Sequence, residues 1–189
     1  MKLKILFIIS LCVITFCCFN KNSNSIAQQE QCTIDSLYTI IDVLQLKINI
    51  LESVIDSLPL SLPLDTFFIQ DKFGIRKHPI FRVWQTHSGL DMIDTWRDTV
   101  YATGDGVVKQ AGWNYGYGKY IEIEHAFNFA SRYAHLYKVL VSKGQDVKKG
   151  QTIGIMGSTG TATGDHLHYE IKYNGRAVNP MPYINSMLN

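Results

Sequence analysis

The sequence predicts an all-β antiparallel domain of short strands and Gly-rich turns, preceded by one amphipathic, coiled-coil-like N-terminal helix. Three observations carry this reading. From about Phe67 onward glycine becomes frequent and the strand-like stretches GVVKQAG, KYIEIEH, TIGIMG and LHYEIKY recur. No helical period of useful length runs between residues 67 and 180. Residues 33–58, in contrast, repeat apolar side chains at alternating spacings of three and four. A chain of 189 residues suits one domain plus an extension, and its 46% hydrophobic content is that of a folded protein.

At the N-terminus, Lys2 and Lys4 precede an uncharged, mostly apolar run over residues 5–19. The run is short for a membrane-spanning helix and reads as an export signal. Ser25-Ile26-Ala27 supplies small residues for cleavage after Ala27, which makes 1–27 a signal peptide. The alternatives are an uncleaved membrane anchor and a lipid-modified cysteine at Cys17 or Cys18. The expected location is the periplasm or cell envelope. Losing Lys2, Lys4 and Lys21 with the leader leaves 15 basic against 16 acidic residues. A near-neutral chain without a basic stripe argues against nucleic acid as a partner. Cys12, Cys17 and Cys18 fall in the leader and only Cys32 lies outside it. The rest of the chain therefore has no disulfide framework and no thiolate metal site.

The helix is assigned to 28–58. Ile34, Ile41, Ile48 and Ile55 occupy every a position of its heptads, and Leu37, Leu44, Leu51 and Leu58 every d position. That combination favours a parallel dimer, with Lys47 at g facing Glu52 at the following e. Ile40 and Val54 broaden the apolar face, so an amphipathic helix packed on its own domain competes with the homodimer. Docking on a membrane or envelope partner is a third use. Cys32, just before the first heptad, is either an interchain disulfide of such a dimer or a free thiol. Pro59 and Pro63 end the helix and give an extended linker over 59–66. The β domain then takes 67–184, and 185–189 is a tail.

Within the β domain, Ile121 and Ile123 alternate with Glu122 and Glu124 as in a half-buried strand, and Asn174-Gly175 signals a two-residue hairpin turn. GWNYGYGKY is too Gly-rich for a strand core and reads as loop. Trp84, Trp113, Tyr115 and Tyr117 then either line a binding groove or simply cover the sheet.

Two histidines one residue apart, His166 and His168 in GDHLHYEI, are the first sign of chemistry. On a strand, residues i and i+2 share a face, so both point into one site. THSGLDM adds His87 and Asp91 at H-x-x-x-D spacing, and SRYAHL adds His135. Three N/O ligands with one open position make a catalytic rather than a structural zinc centre, with two histidines left for proton handling. An isolated H-x-H pair is weak, but this ordered set in a β-rich domain is hard to reach by accident.

With these residues the chain resembles the M23 family of zinc metallopeptidases, the lysostaphin-like or LytM-domain endopeptidases that cut peptide bonds in bacterial peptidoglycan. FGIRKHP, HSGLD, TVYATGDGVV, YGKYIEIEH, RYAHL, KKGQTIGIMGSTG, HLHYEI and VNPMPYI follow in the family's order from about Phe73 to Tyr183. The resemblance implies one zinc per chain held by His87, Asp91 and His168, with His135 and His166 as the assisting active-site histidines. It implies a peptidoglycan peptide as substrate, hydrolysed by metal-activated water. Spacing leaves open which histidine takes the first proton; the face shared with His168 favours His166. Some relatives have lost these residues and serve as activators of other hydrolases. A non-enzymatic cell-wall regulator is therefore the alternative, though all five residue types are kept here. VKKGQTIGIMG also resembles a lipoyl or biotinyl carrier turn, but no exposed modification lysine accompanies it. Of the remaining residues, His78 reads as a turn residue, His125 as a strand end and Asp94 as a loop carboxylate. Glu170 shares the face of His168, as a structural hydrogen-bonder or a support for that ligand.

Overall fold

The computed structural model describes residues 24–77, 82–94 and 98–185. Residues 1–23 of the expected 1–27 leader, with Cys12, Cys17 and Cys18, lie outside these residues, as does His78. Two compact units divide between Asn49 and Ile50.

Helix α1 (Asn24–Asp56) runs for 33 residues. No glycine or proline interrupts it, and the hydroxyls of Thr33, Ser36 and Thr39 donate back to carbonyls one turn earlier. Beyond it, the Ser57 and Leu58 amides close the last turn on Ser53 and Ile55 before Pro59. The seam residues Leu37, Leu44, Ile48, Leu51 and Ile55 are exposed, and so are Ile40, Val43 and Leu46. No helix among the described residues is long and apolar enough to cross a membrane.

The β domain contains β1 (Phe68–Asp71), β2 (Gly74–Lys77), β3 (Trp84–His87), β4 (Leu90–Ile93) and β5 (Thr99–Tyr101). It continues with β6 (Gly106–Asn114), β7 (Gly118–Glu124), β8 (Phe129–Leu136), β9 (Lys138–Val139) and β10 (Asp146–Val147). β11 (Thr152–Ile155), β12 (Leu167–Tyr173), β13 (Arg176–Val178) and the short helix α2 (Met181–Asn185) complete it. The main sheet has the order β1-β4-β12-β8-β7-β6-β10, with β13 on β12; β5-β11-β9 form a second sheet and β2-β3 a separate ribbon. Among the described residues every strand pair is antiparallel, as the sequence predicts. Alternate residues of the central strands, Leu90 and Met92, Ile121 and Ile123, Leu167, Tyr169 and Ile171, join Val100 and Ile153 in one core.

Asn174 and Gly175, both at positive φ, make the expected tight turn between β12 and β13, with Tyr173 paired to Arg176. Three local expectations differ from the structure. GWNYGYGKY is not a loop: Gly112, Trp113 and Asn114 pair with Tyr120, Lys119 and Gly118, and only 115–117 turn. The backbone ladder decides here, and the Asn114 side chain accepts the Gly116 amide to close the turn (2.9 Å). Glu122 is buried rather than solvent-facing, because Arg132 and Lys172 neutralise it. His166 stands just before β12, in an isolated bridge with Gly157.

Residues 59–66 are stitched to the domain. Ser61 donates to the Thr103 carbonyl and Pro63 accepts from Tyr101, each at 2.9 Å. Leu64 is fully buried in the core.

Candidate metal centre

Strand register brings the centre together. Asp91 on β4 is the direct cross-strand partner of His168 on β12, so their side chains share a face. His87 ends β3, and after Ser88-Gly89 the chain enters β4. A side chain at Gly89 would collide with the Tyr169 carbonyl, so this turn can lie on β12 only with glycine. His87 Nε2, Asp91 Oδ1 and His168 Nδ1 converge, with separations of 3.1 Å (His87–Asp91), 3.1 Å (His87–His168) and 2.8 Å (His168–Asp91).

The outer partners assign the protons. His87 Nδ1 donates to the Lys72 carbonyl (2.9 Å), and His168 Nε2 donates to Glu170 Oε1 (3.1 Å). Each ring therefore turns a lone pair inward, toward a carboxylate oxygen. Three lone-pair atoms this close repel one another unless a cation sits among them, so the set fits a metal ion. Asp91 Oδ2 is taken by Arg76 Nη2 (3.2 Å), whose Nη1 is paired with Asp71 (3.2 Å), which leaves Oδ1 for the centre. Charge agrees. Burial works to raise the Asp91 carboxyl, but His168 and His87 outweigh it and hold it far below the usual carboxylate range. Burial opposes charge on His168, yet Asp91 and Glu170 raise its pKa, so the spot favours a positive charge.

His135 and His166 flank the centre, with ring centroids 4.7 Å apart. Their Nδ1 atoms donate outward to the carbonyls of Thr159 and Gly164, each at 2.8 Å. Both Nε2 lone pairs are free for the cleft, and that of His166 lies 3.8 Å from Asp91 Oδ1. Burial, with His166 and His168 nearby, depresses the His135 pKa to about 4, so its ring is neutral at neutral pH. His135 sits in a β-bulge. Between paired positions β8 spends two residues, Ala134 and His135, where β7 spends only Tyr120, and His135 takes a left-handed φ of 60°. Regular alternation would put His135 on the core face with Tyr133; the extra residue re-aims it into the cleft.

All five site residues read from the sequence thus line one cleft, together with Arg76, Gln85, Tyr117, Thr161 and Thr163. Of the aromatic residues considered, Tyr117 lines it; Trp84, Trp113 and Tyr115 are exposed. His125 bonds instead to the Asp105 carbonyl and Ser131. Asp94 accepts from the Thr66 hydroxyl. Glu170 lies behind His168. Sequence reasoning assigned no role to Arg76, Ser88 or Arg132. The FGIRKHP stretch carried the only hint of Arg76.

The pattern that defines Peptidase family M23 matches residues 85–180. DD-carboxypeptidase/endopeptidase Mpg of Neisseria meningitidis is 42% identical over 119 residues, covering 63% of this chain and 27% of that protein. The structure of a zinc containing peptidase from Vibrio cholerae is similar with a TM-score of 0.59 at 41% identity, covering 63% of this chain and 38% of that one. The catalytic domain of lysostaphin from Staphylococcus simulans has a TM-score of 0.57 at 31% identity, over 63% of this chain and 92% of that one. The chain spans 27–28% of the length of the first curated relatives it matches.

Proposed function

The chain belongs to peptidase family M23, and from that premise we propose that it is a zinc-dependent endopeptidase that hydrolyses peptide bonds in peptidoglycan stem peptides or cross-links. The observation that carries the reading is the convergence of three inward lone pairs, from His87, Asp91 and His168, at the floor of an open cleft. Zinc held there supplies a Lewis acid for the scissile carbonyl and lowers the pKa of water toward ~7. The chain's own residues do the rest. One of His135 and His166, whose Nδ1 atoms are both committed to carbonyls, takes the proton of the attacking water at Nε2 and returns it to the leaving amine. Thr161 and Thr163 give the cleft wall hydroxyls that can hydrogen-bond a peptide backbone. The activity named for the Neisseria relative makes a bond between D-residues the first to test.

The leader directs this enzyme to the envelope, and α1 pairs two copies through its Ile/Leu seam. The test is digestion of purified muropeptides by the full chain, read by mass spectrometry alongside metal content. About one zinc per chain and new peptide ends, both lost in His168→Ala, are expected. A wild-type protein that retains no zinc and cleaves nothing would leave the regulator reading in its place.

A further inference from the structure

His168 is set from behind by a side chain that the catalytic reading does not use. Of the four cleft histidines, three rest their outer nitrogen on a backbone carbonyl: His87 on Lys72, His135 on Thr159 and His166 on Gly164. His168 alone among them rests on a carboxylate, that of Glu170. Glu170 is buried, two residues along β12 and on the same face. Its Oε1 accepts from Tyr117 Oη (2.8 Å), from the Ser88 hydroxyl and from His168 Nε2 (3.1 Å). Its Oε2 faces Arg132 Nη1 at 3.2 Å and Lys172 Nζ at 3.9 Å.

We propose that Glu170 is a positioning residue for the metal: it holds the proton of His168 on Nε2, keeps Nδ1 as the ligand atom, and fixes the ring's angle through Ser88 and Tyr117. A neutral imidazole carries one proton, and an acceptor at Nε2 keeps it there. A carboxylate in that place also makes the ring a stronger donor to a metal than a backbone carbonyl does. Ser88 stands between two ligands in the chain, and Tyr117 forms the cleft wall, so one carboxylate ties both to the His168 ring. The competing explanation is that Glu170 only neutralises buried cations. Glu122 separates the two cases. It pairs with the same Arg132 on the adjacent β8 (2.9 and 2.5 Å) and the same Lys172 on β12 (2.8 Å), but has no contact with His168 among its hydrogen bonds and ion pairs.

The inference rests on the zinc reading above, and the test distinguishes the two. The full chain, its Glu170→Gln variant and its Glu122→Gln variant are stripped of metal. Zinc affinity is then measured against a chromophoric chelator, and the visible spectrum of each Co²⁺-loaded protein is recorded. Glu170→Gln is expected to weaken zinc by roughly 10- to 100-fold and to alter the cobalt bands, while Glu122→Gln stays within about threefold of wild type with an unchanged spectrum. Should Glu170→Gln not fold because Arg132 loses a partner, the double variant Glu170→Gln/Arg132→Gln removes that charge and is read the same way. Equal zinc affinity and identical cobalt spectra in wild type and Glu170→Gln overturn this inference alone, as does an equal loss in Glu122→Gln. A wild type that binds no zinc overturns the zinc reading with it.

Discussion

At the scale of single residues, the site divides into atoms that face the centre and atoms that face away. The outward hydrogen bonds of His135 and His166 engage each Nδ1 and leave each Nε2 for the cleft. His166→Ala and His135→Ala should each retain one zinc and lose roughly 10²–10⁴ in kcat, by metal analysis and muropeptide turnover. Full activity in either variant would remove that residue from proton transfer. These five residues are legible in the sequence because short motifs fix their spacing. Beyond Glu170, which shares the face of His168, their supports are not. Arg132 and Tyr117 reach Glu170 only through strand register, which local sequence does not encode. His125 has a different consequence. Its Nδ1 donates to the Asp105 carbonyl, and its Nε2 lies 2.7 Å from Ser131 Oγ. Burial holds its pKa below the ordinary 6.5. The unfolded chain therefore takes up this proton first as pH falls. The stability it contributes is complete above the unfolded pKa and drains away as pH drops from there toward the folded value. The melting temperature of the metal-free protein should fall as pH drops through the ordinary histidine value of about 6.5, and less steeply in His125→Gln. An unchanged slope in the variant would assign the acid sensitivity to other groups.

At the scale of elements, two backbone devices aim the site: the bulge that turns His135 and the close approach of Gly89 to β12. Gly89→Ala forces a Cβ against the Tyr169 carbonyl and should cost about 1–3 kcal/mol, seen as a lowered melting temperature. A wild-type melt would mean that the turn relaxes without strain. Neither device is visible beforehand. A one-residue phase shift inside a single short strand carries no residue signature of its own, and a glycine in HSGLD looks like any turn glycine. The β6–β7 hairpin was hidden for the opposite reason: glycines suggest a loop, whereas backbone pairing carries the strands through them. α1 is the element whose partner is proposed rather than seen. Light scattering on a protein lacking residues 1–27 should give twice the chain mass, and Ile48→Lys, which puts a charge at a central a position, should return it to monomer. Mild oxidation should then link Cys32, which is exposed, only in the dimer. A monomeric wild type would leave α1 for another partner.

At the scale of the whole molecule, the order β1-β4-β12-β8-β7-β6-β10 joins strands distant in sequence, which is why antiparallel texture was readable and neighbours were not. The segment after the helix belongs to this assembly energetically, since Leu64 fills the core and Ser61 and Pro63 bond to it. A fragment 50–189 should keep the full melting temperature of the domain. Cutting at 67 removes Leu64, a loss of about 1.5–3 kcal/mol, and should lower the midpoint on the order of 10 °C. Equal melting of the two fragments would show the segment to be dispensable. The ribbon β2-β3 is a sheet of its own, and it brings His87 and Arg76 to an Asp91 that belongs to the main sheet. An ion at that junction would act as a rivet between two separately laddered pieces. Chelation should thus quicken amide hydrogen exchange at residues 74–77 and 84–87 well before the large sheet opens. The molecule would report the loss of its metal first as a loosened flap.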